Sequence, residues 1–286
     1  MKTRIITAVV GIIVLIGVLF TFDTLIFNLV IAAITLLALH EIYMALGFEK
    51  RDWPLLGVLV PYTLLIMLSS YQVCRRLVMP ASFLVVLFYA IYLVVRNGFI
   101  SYQKASGLVM FAGILIFCFY SFIRLKELLP VEKYGYDAIF FILLILCFAW
   151  GGDTCAYFAG RAFGKHKLCP VVSPKKTVEG AIGGVLGTMV FGVIVTLVYS
   201  VAADRMEAFT RSNIGVSMYV IIALLACVAA VLGIYGDLFA SVVKRQCGIK
   251  EYGTIFPGHG GILDRFDSVM FIAPFVTMVI TAVFYQ

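Results

Sequence analysis

Residues 216–236 read VSMYVIIALLACVAAVLGIYG, 21 residues without a charge, and Asp237 follows at once. A transmembrane helix needs about 20 predominantly apolar residues, so this run has the length and composition of one span. Working outward, eight more runs share that character: 5–22, 26–46, 54–70, 77–95, 106–123, 137–152, 180–201 and 268–285. A tight turn near Asp23 is all that separates the first two. The fold class expected is therefore all-α: a polytopic integral membrane protein with about nine transmembrane helices. Residues 1–130 would form an N-terminal group of about five spans, and residues 131–286 a C-terminal transmembrane region.

Composition agrees with this reading. Of the 286 residues, 63% are hydrophobic and 13% charged, and mean hydropathy is +1.08. Soluble domains are about 45–50% apolar, so a soluble globular protein is excluded, and a disordered chain with it. A secreted disulfide scaffold does not fit either. The seven cysteines are an odd number, and Cys74, Cys118, Cys147 and Cys227 sit in or beside apolar runs, where they read as small buried hydrophobes. The first run lacks a small-residue cleavage site and leads straight into more spans, so no cleavable signal is expected.

The net charge of +7 is the informative oddity. With the N-terminus inside, 15 of the 22 Lys and Arg residues fall on the inner side and seven on the outer, Arg211 among these. That asymmetry favours an N-in, C-out topology. Segments 151–179 and 237–267 hold 15 of the 37 charges and both His166 and His259. This topology makes both segments cytoplasmic, and they are expected to carry the active site.

Three motifs stand in those segments. The run from Tyr235 to Gln246 continues a span without a breaker, so it is expected to be helical. Asp237, Ser241, Lys244 and Arg245 would then share one face. The acid suits a cation and the bases suit phosphate oxygens, although snorkelling alone would account for the two bases. Next, Gly258, Gly260 and Gly261 surround His259 and permit left-handed backbone and close approach to a ligand. Consecutive amides in such a turn can nest an anion. Asp264 and Asp267, three residues apart at the start of the last span, could face one side of its first turn and share Mg²⁺, with helix capping as the plain alternative. Last, Asp153 stands at the end of a span. Ser173-Pro-Lys-Lys-Thr177 lacks Walker spacing but brings Lys175, Lys176 and two hydroxyls to a glycine-rich helix, which suits a triphosphate or pyrophosphate. Gly160, Gly164, Gly180, Gly183, Gly184 and Gly187 fall at GxxxG spacing and are expected to pack helices within the chain. His40-Glu41, near the inner end of the second span, reads equally as functional or as an interfacial cap.

Ser241-Val-Val-Lys244-Arg245, then Lys250, then Pro257-Gly-His-Gly-Gly-Ile-Leu-Asp-Arg-Phe-Asp267 resembles the signature of the phosphatidate cytidylyltransferases (CDP-diacylglycerol synthases). The stretch beginning Gly152-Asp153-Thr and the Ser173–Thr177 stretch are similar to that family as well. The motif resemblance covers roughly residues 140–286, and the earlier part matches in hydropathy alone. One departure is Glu251, where the family has Asp. The resemblance implies transfer of CMP from CTP to phosphatidic acid, giving CDP-diacylglycerol and pyrophosphate at the start of phospholipid synthesis. It implies Mg²⁺, with room for a second cation, held by Asp237 and Asp267 with Asp264 nearby. It further implies that Lys244, Arg245 and Arg265 clamp phosphates and that Lys175 and Lys176 face the triphosphate. Asp153, Ser173, Thr177, Ser241, Gly260 and Gly261 complete the substrate site, and His259 shapes the loop or binds phosphate. The expected partners are CTP, phosphatidic acid and the lipid bilayer, with no nucleic acid and with a homodimer left open. The expected location is the inner (plasma) membrane of a bacterial cell. A secondary transporter would show inverted repeats and mid-membrane acids. A CTP-dependent polyprenol kinase would release CDP. Neither suits the signature as well.

Overall fold

The computed structural model describes residues 2–205, 215–256, 258 and 260–284. His259, Pro257 and Arg211 lie outside the described residues. Each of the nine apolar runs coincides with a helix. In chain order the helices are α1 (Lys2–Phe20), α2 (Leu25–Ala45), α3 (Trp53–Met67), α4 (Gln72–Val95) and α5 (Tyr102–Leu128), then, after the single turn α6 (Val131–Tyr134), α7 (Asp137–Leu146) and α8 (Gly152–Phe163). The series ends with α9 (Val178–Arg205), α10 (Val216–Gln246), the short α11 (Leu263–Phe266) and α12 (Val269–Phe284). Among the described residues, six helical stretches are long and apolar enough to cross a membrane, and Val9–Phe20 and Val269–Val283 are shorter apolar helices. The chain is an all-α polytopic membrane protein.

Two compact units divide it. The first takes Met1–Ile123 and Gln246–Arg265, and the second Arg124–Arg245 and Phe266–Gln286. In the first, Thr24 caps α2 by accepting from the Ile26 amide at 3.2 Å. Asn28 is buried on α2 and donates from Nδ2 to the Met67 carbonyl (2.7 Å) and to Ser70 Oγ (2.8 Å). A polar side chain in an apolar setting costs free energy unless bonded, and here it ties α2 to the end of α3. On α4 Tyr89 is the buried residue, and its hydroxyl donates to the Leu55 carbonyl at 2.7 Å. The rest of that helix turns Leu77, Phe83, Val86 and Ile91 outward, as a surface bathed in lipid requires.

In the second unit the sixth run does not stop at residue 152. It passes through a π-helical turn, Cys147–Gly151, and continues as α8 to Phe163. The charged segment 151–179, expected to lie outside the spans, is thus helical over its first thirteen residues. Its polar residues hid a helix that packs on glycine. A Cβ added at Gly184 would sit 3.0 Å from Ala156 Cβ, one at Gly180 would sit 2.8 Å from the Ala156 carbonyl, and one at Gly183 would overlap Ala159. The GxxxG rows of α9 therefore serve packing within the chain, as expected. A two-stranded antiparallel hairpin, β1 (Lys167–Cys169) and β2 (Ser173–Thr177), joins the two helices. Near the other end of α9, Tyr199 OH donates to buried Asp137 and its ring stacks on Phe140 at 4.4 Å.

Candidate active site

Chemistry-bearing residues gather into one constellation in each unit. The constellation of the second unit is built on four elements: α8 carries Asp153, β2 carries Lys176, α10 carries Asp237, Ser241 and Lys244, and Asp267 and Ser268 stand just ahead of α12. Lys176 Nζ lies 2.5 Å from Asp237 Oδ2, and Ser241 Oγ donates to Asp237 Oδ1 at 3.2 Å, so the helical face expected for this motif is present. Gly236 lets α10 come this close, because a Cβ there would overlap the Asp267 carbonyl. Ser268 Oγ, fully buried, donates to Asp153 Oδ2 at 2.9 Å, and the Ser268 amide donates to Asp267 Oδ1 at 2.9 Å. Burial first, and then the charge of Asp237, hold the Asp267 carboxyl well above the usual carboxylate range. Lys244 pulls the other way, and Asp153 adds to the rise. Arg245 Nε donates to the Val172 carbonyl at 3.5 Å in the turn between the strands.

The hairpin is fastened at its base. Glu179 accepts from the Lys165 and His166 amides (3.1 and 3.2 Å), and its Oε1 lies 2.6 Å from His166 Nδ1. Thr177 Oγ1 accepts from the Gly180 amide at 3.1 Å and starts α9. Thr177 is thereby buried as a helix cap, while Lys175 is exposed and Ser173 half-buried.

The constellation of the first unit is the glycine-rich turn. Gly258 and Gly260 have φ of +78° and +81°, the left-handed backbone expected of them, and the Phe256 amide donates to the Gly260 carbonyl at 2.9 Å. The amides that follow were expected to nest an anion, and they do, but the anions belong to the chain. Asp264 Oδ2 accepts from the amides of Gly261 (3.0 Å) and Tyr252 (2.8 Å). Glu41 accepts from Ile262 and Leu263, both at 2.8 Å. The spacing expected Asp264 and Asp267 on one helical turn. Instead α11 ends at Phe266 and α12 begins at Val269, so no single helix carries both. Arg265 is exposed at the end of this unit.

Sequence reasoning passed over Ser268 and Glu179 and left Glu41 ambiguous. A serine directly ahead of an apolar run and an acid in the first turn of a helix are cap signals, and they could have flagged the first two.

As a donor set, Asp153, Asp237 and Asp267 offer hard oxygens, and the charges of Asp237 and Asp153 add to the cost of ionising Asp267. Among the described residues no three His, Cys, Asp or Glu close into a metal cage. Carboxylate oxygens are the donor class of Mg²⁺, which takes one or two of them and completes its shell with water and substrate phosphates.

The family-wide profile described as "Cytidylyltransferase family" matches residues 2–283. The chain belongs to this family. It is 32% identical over 279 residues to a phosphatidate cytidylyltransferase of Bacillus subtilis (strain 168), covering 96% of each chain. It is also 32% identical over 286 residues to one of Staphylococcus epidermidis (strain ATCC 35984), covering 98% of this chain and 99% of the relative. Over 144 residues, half of each chain, identity to one of Staphylococcus saprophyticus is 42%.

Proposed function

We infer that this membrane protein is a phosphatidate cytidylyltransferase, making CDP-diacylglycerol and pyrophosphate from CTP and phosphatidic acid. The observation that carries the reading is the Lys176–Asp237 contact beside Asp267 and Lys244, acids and bases of a Mg²⁺–triphosphate site at the ends of membrane helices. In this reading a phosphate oxygen of phosphatidate attacks the α-phosphorus of CTP, the new P–O bond forms, the bond to the β-phosphate breaks, and pyrophosphate leaves. No covalent enzyme intermediate is required, because catalysis rests on positioning and charge neutralisation. Phosphatidate is largely anionic at neutral pH, so a general base is not essential either.

Asp237 and Asp267 would hold Mg²⁺, with Asp153 beside them, and a second cation could share the set. When bound, the cation would neutralise charge developing on the phosphates. Lys244, Arg245 and Arg265 would grip phosphate oxygens, and Lys175 with Lys176 would receive the triphosphate and the departing pyrophosphate. Ser241 and Ser268 orient carboxylates. Asp264, Gly260 and Gly261 give the signature turn its shape, and His259 is part of the same sequence motif. The Lys and Arg asymmetry supports an N-in arrangement in a bacterial inner membrane, with the site facing the cytoplasm.

The test is direct. Protein purified in detergent and given phosphatidate, labelled CTP and Mg²⁺ should release CDP-diacylglycerol and pyrophosphate together. A folded sample that releases neither sinks the reading, and release of CDP would mark a kinase instead.

A further inference from the structure

We propose that Glu41, on the membrane helix α2, is a positioning residue for this reaction, holding the Tyr252–Asp264 turn in its working shape. The proposal rests on the activity inferred above. Glu41 is 4% exposed, and a carboxylate at such a place is costly unless its oxygens are satisfied. Its hydrogen bonds come from backbone more than 200 residues along the chain. The Ile262 amide donates to Oε1 and the Leu263 amide to Oε2, each at 2.8 Å.

The turn is built around this carboxyl group. A Cβ at Gly253 would lie 2.5 Å from Glu41 Oε1, and one at Gly261 would overlap the carboxyl group itself. The two glycines, one on each arm of the turn, make the space that Glu41 fills. Asp264 ties the same arms together by taking the Tyr252 and Gly261 amides on one oxygen. Two acids thus hold four amides, and a carboxylate is the side-chain group that offers two acceptors to two parallel donors. Arg265 follows Leu263 by two residues in the same short helix α11, so the anchored backbone sets where its side chain starts. Glu41 touches no reacting atom in this scheme. Its effect reaches the chemistry through where the signature turn delivers Arg265, the last residue of the same unit.

The test uses full-length protein in detergent. Glu41→Gln keeps the volume but sets an amide N–H₂ against one backbone N–H. Hydrogen exchange at Ile262 and Leu263 should quicken by about 10- to 100-fold, the worth of one charge-assisted bond, while the helices keep their protection. The kcat should fall over the same range, with KM for CTP moving less than about threefold, the mark of lost transition-state positioning. Glu41→Asp, which restores both acceptors on a shorter stem, should recover part of the kcat. If Glu41→Gln loses protection in every helix, Gly253→Ala, which pushes on the same oxygen, decides by the same readings. Unchanged exchange at Ile262 and Leu263 overturns the proposal, as does quickened exchange with kcat within about twofold. A wild-type protein that makes no CDP-diacylglycerol while its exchange pattern holds overturns the activity and the catalytic half of the proposal, and leaves the brace.

Discussion

Asp267 is held in a setting that disfavours its charge. Burial and two neighbouring acids favour its protonated form, and a cation would take the proton's place. Asp237→Asn and Asp267→Asn should each lower turnover by at least about 100-fold while leaving the protein folded, and near-normal turnover of either at low Mg²⁺ would remove it from the metal site. The pH dependence follows in sign. A carboxyl whose pKa is raised on folding binds its proton more tightly in the native state. Without Mg²⁺, stability should therefore fall as pH rises above the unfolded value of about 3.9 through the raised native one. Mg²⁺ should raise the melting temperature more at about pH 9 than at about pH 6, and Asp267→Asn should flatten that difference. The chain itself announced some of these residues and concealed others. Asp237 stands out at the end of an apolar run, where an acid has few bland explanations, and Asp267 stands out by its spacing from Asp264 beside a glycine-rich turn, although a helix cap would also account for it. Glu41 does not, because its partners lie 221 and 222 residues away and no local pattern records them.

Elements were legible to the extent that hydropathy defines them. All nine apolar runs became helices because length and apolar content decide what a bilayer accepts. What hydropathy missed was continuity and its interruption. The polar α8 extends its span because a π-helical turn at Cys147–Gly151 carries the helix onward, and such turns often accompany functional sites. The Ser173–Thr177 stretch forms a strand that only pairing with β1 could reveal. The break between α11 and α12 separates two acids whose spacing suggested a shared turn. The α8–α9 packing gives a contrast to measure. Gly183→Ala sets a methyl group against Ala159 and should cost about 1–3 kcal/mol as overpacking. Gly113→Ala on α5 meets nothing within 4 Å and should be neutral or gain up to about 1 kcal/mol from helix propensity. Melting of both variants in detergent checks the pair.

At the scale of the whole molecule, the +7 charge and its inward bias bear on topology. A single cysteine placed beside Lys176 should stay unlabelled by an impermeant reagent added to intact cells and react once the cells are opened. Lys126→Ala, on the side assigned to the exterior, should leave turnover unchanged in the purified assay. The long helix α10 has its own consequence. Asp237 stands 21 residues past Val216, which is about 32 Å at 1.5 Å per residue, against about 30 Å of hydrocarbon. Were α10 to enter the hydrocarbon at Val216 and cross it untilted, Asp237 would reach the plane of the phosphate headgroups. The lipid substrate then needs no lifting out of the leaflet, and the enzyme searches for it in two dimensions. Turnover should follow the mole fraction of phosphatidate in the surface, so that diluting it with neutral lipid at constant bulk concentration slows the reaction.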